Sequence, residues 1–132
     1  MNRVPRVLVV EDEAHIARLL QFVLTRNGYH VDVAHTGMAG LQKAQDCPPD
    51  AVLLDLNLPD MPGADVLAAL RRDPNTEDTA VIILSAHAFD YGLDPALRSG
   101  RTIQCGKPVA PSRLLDSLAE FGLSVPAATK AG

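Results

Sequence analysis

The stretch Ala51-Val-Leu-Leu-Asp55-Leu-Asn57-Leu-Pro59-Asp60-Met-Pro62-Gly63 decides how the rest of the chain is read. Ala51 to Leu54 are apolar without interruption, the pattern of a strand covered on both faces, as in a parallel sheet. Asp55 stands where that strand leaves the core, and the Pro, Gly and Asp residues behind it form a turn. A carboxylate there is costly to desolvate unless a cation or strong hydrogen bonds accompany it.

The same plan recurs on both sides. Arg6-Val-Leu-Val-Val10 is an apolar run that stops at Glu11-Asp12-Glu13. Ile16, Leu19, Leu20, Val23 and Leu24 then repeat with helical spacing as one apolar stripe, which Asn27-Gly28 ends. His30 to Ala34 alternate with period two, as in a half-exposed edge strand. Met38, Leu41 and Ala44 mark a short helix before Pro48-Pro49, and Val66, Leu67 and Leu70 form the inward face of a helix over about 64–72.

Ala80 to Leu84 are a fourth buried strand ending at Ser85, and Thr102 to Cys105 a short fifth ending at Gly106-Lys107-Pro108. Between them Asp94-Pro95 signals a short helix near 95–99 after a long loop. Pro111 opens the last helix, with Leu114, Leu115, Leu118 and Phe121 inward. Strands that alternate with helices and are too apolar for a one-faced sheet indicate an α/β fold, a doubly wound (βα)5 flavodoxin-like three-layer sandwich. Its parallel five-stranded sheet is expected in the order 2-1-3-4-5.

A chain of 132 residues, 47% hydrophobic and 21% charged, is one globular domain. It has no run of roughly 18 apolar residues and no signal-peptide plan, so a cytoplasmic protein without membrane association is expected. A net charge of −4 without a basic stripe argues against direct nucleic-acid binding. Cys47 and Cys105 lack metal-site spacing, and Cys105 reads as a small core residue.

In the order 2-1-3-4-5, Glu11, Asp12 and Asp55 converge with Ser85 and Lys107 at one edge of the sheet. At ~5 Å and an effective dielectric of about 20, each like-charge pair costs on the order of 3 kcal/mol. One lysine cannot offset three such repulsions. A divalent cation can, and an all-oxygen donor set suits magnesium. Magnesium beside a carboxylate, a hydroxyl and a lysine makes a cradle for a phosphoryl group, with Asp55 as the nucleophile.

These residues resemble a known family. Val-Val-Glu11-Asp12-Glu13, Leu-Leu-Asp55-Leu-Asn57-Leu-Pro59-Asp-Met-Pro-Gly63, Leu84-Ser85-Ala86 and Lys107-Pro108 are similar to the motifs of the receiver domain of bacterial two-component response regulators. The family shares the strand order given above, so fold and resemblance are one expectation rather than two. The resemblance spans residues 5–121 and implies a receiver domain over 1–122, with a tail or linker start at 123–132. It implies Asp55 as phosphoacceptor, Asp12 as direct metal ligand with Glu11 assisting, and the Asn57 backbone carbonyl on the metal. Ser85 and Lys107 would contact the phosphoryl group, and the Lys107-Pro108 bond would be cis.

The implied partners are a histidine kinase or phosphotransfer protein upstream, and a protein partner or missing output domain downstream; a homodimer stays open. Such a module catalyses its own phosphorylation and dephosphorylation without being a metabolic enzyme. The chain departs from the family at Gln104, where an aromatic residue is usual, and at Gly92 and Pro95, where a longer helix is usual. Asn57 and His87 are placed to influence water attack on an aspartyl phosphate, and the other histidines read as surface residues. A phosphorylation-independent pseudo-receiver is the alternative reading. A flavin- or nucleotide-binding protein would need a Gly- or Ser/Thr-rich loop where Glu11-Asp12-Glu13 stand. A magnesium-dependent phosphatase would need a cap that the chain has little length to build.

Overall fold

The computed structural model describes residues 4–86 and 101–125. Along the chain run β1 (Arg6–Val10), α1 (Ala14–Arg26), β2 (His30–Ala34), α2 (Gly37–Asp46) and β3 (Ala51–Asp55). After them come α3 (Gly63–Arg72), β4 (Ala80–Ser85), β5 (Thr102–Gly106) and α4 (Pro111–Glu120). The strands form one parallel sheet of order β2-β1-β3-β4-β5, as the sequence predicts. The short helix expected near 95–99 lies outside the described residues, as do His87, Gly92 and the end of the tail.

Strand alternation builds the layers. Val7, Val9, Leu53, Ile82 and Leu84 point to a core closed by Leu20 and Leu24 of α1 and Leu114 and Leu118 of α4. Their neighbours Leu8, Val10, Val52, Leu54, Val81 and Ile83 point to a second core under α2 and α3, which bring Ala44, Val66, Leu67 and Leu70. Each buried Val, Leu or Ile among them contributes about 1.5–3 kcal/mol. β3 is buried at every position because it has a strand on each side and a helix layer on each face. Cys105 lies in the first core beside Ser117, as expected of a small apolar residue.

Two helix faces differ from the sequence reading. α1 packs through Ala17, Leu20 and Leu24, leaving Ile16 at 36% and Leu19 at 60% exposure. The period is helical as predicted and Leu20 and Leu24 pack as expected, but Ala17 rather than Ile16 completes the buried stripe. α2 likewise turns Gly37, Gly40 and Ala44 inward and leaves Met38 exposed. A Cβ on Gly40 would stand 2.8 Å from Val10 Cγ2, so the helix sits too close to β1 for a larger residue. At the amino edge of β4 and β5, Arg71 binds four acceptors: the Glu77, Thr79 and Arg101 carbonyls and the Thr102 hydroxyl.

Candidate functional site

β1 and β3 are adjacent, so the residues that leave their carboxyl ends enter one crevice at the switch point of the sheet. Glu11 follows β1 and is buried, Asp12 after it is exposed, and Asp55 is the buried last residue of β3. One carboxylate oxygen from each of Glu11, Asp12 and Asp55 lies within 4.8 Å of the others. A cleft of about 530 Å³ opens beside them, lined by Asp12 and residues 56–62.

Local backbone contacts hold the two buried acids. The Glu11 N–H donates to the Ala34 carbonyl at 3.0 Å, extending the β1–β2 ladder by one bond. Glu11 Oε2 accepts the Glu13 N–H at 3.2 Å. Asp55 Oδ1 accepts the Asn57 N–H at 3.1 Å, an Asx turn that starts the loop. Gly63 closes that loop by donating to the Leu56 carbonyl at 2.9 Å. A Cβ on Gly63 would stand 2.5 Å from the Asp55 carbonyl oxygen, so the close approach requires glycine.

Lys107 arrives from the far side. Its N–H donates to the Ser85 carbonyl at 2.7 Å, tying the exits of β4 and β5 together, and its bond to Pro108 is cis. The side chain then reaches back over the sheet, with Nζ 3.0 Å from Glu11 Oε1 and 3.3 Å from Asp55 Oδ1. Ser85 is buried opposite Gly106, one position beyond the Leu84 that pairs with Asp55.

The charges are not balanced by this one cation. Burial raises the Glu11 carboxyl above its ordinary value, and contact with Lys107 and the Glu13 N–H only partly reverses it. Burial alone would lower the Lys107 ammonium, yet Glu11 and Asp55 outweigh it and raise its pKa. Glu11 Oε1, though close to Nζ, has no aligned hydrogen bond in the described structure. Three converging acids, two of them buried, around a single ammonium fit a hard divalent cation, which takes oxygen ligands without directional demands. The residues that can hold it are Glu11, Asp12 and Asp55.

Asp55, Glu11, Asp12 and Lys107 are thus brought together at one place. The Asn57 backbone leaves the Asp55 turn beside them, and its residue pairs across the loop with Pro62. Gln104 on β5 is half-buried, and its Nε2 is buried without a hydrogen-bond partner among the described residues. Two contributors escaped the sequence reading. His35, one of three exposed histidines among the described residues, places Nδ1 3.0 Å from the Glu11 carbonyl oxygen. Asp60, seen only as a turn residue, accepts the Gly37 and Met38 N–H groups. Their only signal was position: each lies within a few residues of a strand exit at the site.

The family model of the response regulator receiver domain matches residues 7–119. The chain belongs to that family. This receiver domain is 42% identical over 112 residues to the Transcriptional regulatory protein KdpE of Mycobacterium tuberculosis, covering 85% of this chain and 48% of that protein. It is 36% identical over 96 residues to the Response regulator ArlR of Staphylococcus haemolyticus, covering 67% of this chain and 42% of ArlR. The receiver domain therefore spans about half the length of the curated relatives it matches. Among solved structures it is similar to the chemotaxis protein CheY4 of Vibrio cholerae, with a TM-score of 0.82 and 27% identity over 90% of this chain and 99% of that one. A sensor protein from Polaromonas sp. JS666 gives a TM-score of 0.79 at 35% identity, covering 89% of this chain and 94% of the other. The domain is thus a receiver of two-component systems, and none of its described helices is long and apolar enough to cross a membrane.

Proposed function

We propose that this receiver domain accepts a phosphoryl group on Asp55 from the phosphohistidine of a histidine kinase or phosphotransfer protein, in a magnesium-dependent step. One observation carries the reading: the Asp55 carboxylate stands among Glu11, Asp12 and the Lys107 ammonium, the charge set that phosphoryl transfer requires. Glu11, Asp12, Asp55 and the Asn57 backbone carbonyl would hold the magnesium ion. When bound, magnesium supplies positive charge to the phosphoryl oxygens and cancels the mutual repulsion of the acids.

The remaining chemistry belongs to the chain. Asp55 attacks phosphorus through a carboxylate oxygen, the P–O bond forms, and the P–N bond of the donor breaks. The electron pair leaves with that nitrogen, and the imidazole, protonated on its other nitrogen, departs neutral. Lys107 exchanges part of its contact with Glu11 and Asp55 for the incoming phosphoryl oxygens, and the Ser85 hydroxyl donates to another. The product carries close to two negative charges at a carboxylate that carried one. Because Lys107 and Ser85 are bonded through their backbones, a pull on either moves the exits of β4 and β5 together.

The working unit of this proposal is residues 1–122, with the output function in a separate partner or in further sequence such as the longer relatives carry; its setting is the cytoplasm. The test is intact-mass measurement after incubation with magnesium and acetyl phosphate. A single phosphoryl adduct is expected, absent in Asp55→Asn and absent with chelator. A chain that stays unmodified under all conditions overturns the proposal and returns the pseudo-receiver.

A further inference from the structure

The turn between β2 and α2, residues 35–36, together with the first two residues of α2, touches both loops that carry the acids. On one side His35 Nδ1 lies 3.0 Å from the Glu11 carbonyl oxygen. A carbonyl only accepts, so Nδ1 bears the proton and donates. With the Glu11 N–H donating to the Ala34 carbonyl, the end of β2 grips both backbone polar groups of Glu11. On the other side the Gly37 and Met38 N–H groups donate to Asp60 Oδ1 and Oδ2 at 2.8 and 3.0 Å. Asp60 belongs to the loop that begins at Asp55. Gly37 is also packed against that loop, since a Cβ there would meet Met61 Cγ at 2.5 Å.

These contacts matter because the sheet itself does not set the final gap. The β1–β3 register ends at Val10 and Leu54, one residue short of Glu11 and Asp55. Beyond it the three acids repel one another, and the one Lys107 ammonium that touches Glu11 and Asp55 offsets this only in part. Nothing in the β1–β3 ladder resists their splaying. The β2–α2 turn does, because it is bonded to the Glu11 peptide at one end and to the Asp60 carboxylate at the other.

We infer that this turn is a brace that sets the spacing of the β1 and β3 carboxylates, with His35 and Asp60 as positioning residues for the divalent ion. Neither side chain belongs to the ion-holding set: His35 acts through the Glu11 backbone and Asp60 through the first amides of α2. The inference rests on the magnesium reading above. Groups that orient a metal ligand without touching the metal commonly alter affinity by roughly ten- to a hundredfold when removed.

The test is titration of manganese into the full chain, followed by electron paramagnetic resonance of the free ion, with magnesium as competitor. Thermal unfolding is measured in the same buffer. His35→Ala and Asp60→Ala are each expected to weaken magnesium binding about tenfold. His35→Asn, whose amide nitrogen occupies the place of Nδ1, is expected to restore it. Both side chains are exposed, so the core survives their loss; Asp60→Asn, which keeps one acceptor oxygen, supplies a milder variant with an intermediate loss. A merely structural turn would lower the unfolding temperature and leave affinity alone, which overturns the brace. An unaltered chain that takes up neither ion overturns the magnesium reading and the brace together, whereas normal uptake by it and by both alanine variants overturns the brace alone.

Discussion

The Lys107 ammonium stands 3.3 Å from Asp55 Oδ1 while it also lies 3.0 Å from Glu11 Oε1. One cation is shared between two buried carboxylates, so removing it leaves both uncompensated. Lys107→Met is expected to destabilise the ion-free chain at neutral pH by about 2 kcal/mol, less than a fully buried pair because the lysine is partly exposed. The folded-state pKa of Lys107 is raised, so its contribution is whole below the ordinary lysine range and fades only as pH rises through the raised value. Thermal unfolding of both proteins should therefore show a constant difference from lysine between about pH 7 and 9.

Glu11 behaves in the opposite sense. Its folded-state pKa is raised above 4.5, so the native state binds the proton more tightly than the unfolded chain does. Stability is consequently lost as pH rises from the ordinary carboxylate range through the raised value, and the full penalty is present at neutral pH. Glu11→Gln is expected to raise the unfolding temperature of the ion-free chain by a few degrees, about 1 kcal/mol. Magnesium should stabilise the unaltered chain at pH 7 and do so progressively less toward pH 4.5, a dependence that calorimetry with and without the ion will show.

Gly63 lies against the backbone at the end of β3. Gly63→Ala would force its Cβ into the Asp55 carbonyl and Leu56 Cα, both within 2.6 Å. The loop must shift to relieve it, at about 2 kcal/mol. Adduct formation from acetyl phosphate, followed by mass, is expected to slow as well, because the shift displaces Asp55 itself.

Gln104 buries an amide nitrogen that finds no partner among the described residues. Gln104→Leu removes that unsatisfied donor while keeping the bulk of the side chain. A gain of about 1 kcal/mol is expected, visible as a higher unfolding temperature with Asp55 phosphorylation unchanged.

Arg71 fastens the amino edges of β4 and β5 through four acceptors on two nitrogens. Arg71→Ala is expected to cost about 2 kcal/mol. Arg71→Lys should recover little of it, because a single ammonium cannot span acceptors arranged for a planar fork. Urea unfolding of the three proteins distinguishes these outcomes.

The continuous apolar runs at Arg6–Val10, Ala51–Asp55 and Ala80–Ser85 carried the fold in the sequence, since only a strand buried on both faces needs such composition. The acids and the lysine just past those runs were legible for the same reason: a charge that ends a buried strand must lie at the rim of the sheet. Which helix face packs was not legible. Ile16, Leu19 and Met38 are apolar yet exposed, while the smaller Ala17 of α1 and Gly37 and Gly40 of α2 face inward, and Gly40 lets α2 approach β1 closely. Local periodicity records contrast between chain neighbours and carries no measure of that approach.

The sequence by itself determined the strand order, the identity of the converging charges and the glycine that lets the loop close. Only the tertiary structure decided that Glu11 is buried while Asp12 is exposed, that Lys107 turns toward both Glu11 and Asp55, and that His35 and Asp60 link the two acidic loops. The reason is physical. Burial of an apolar run depends on composition within a few residues. A hydrogen bond between positions 24 residues apart in sequence, such as His35 to Glu11, exists only after packing has fixed the distance between their elements.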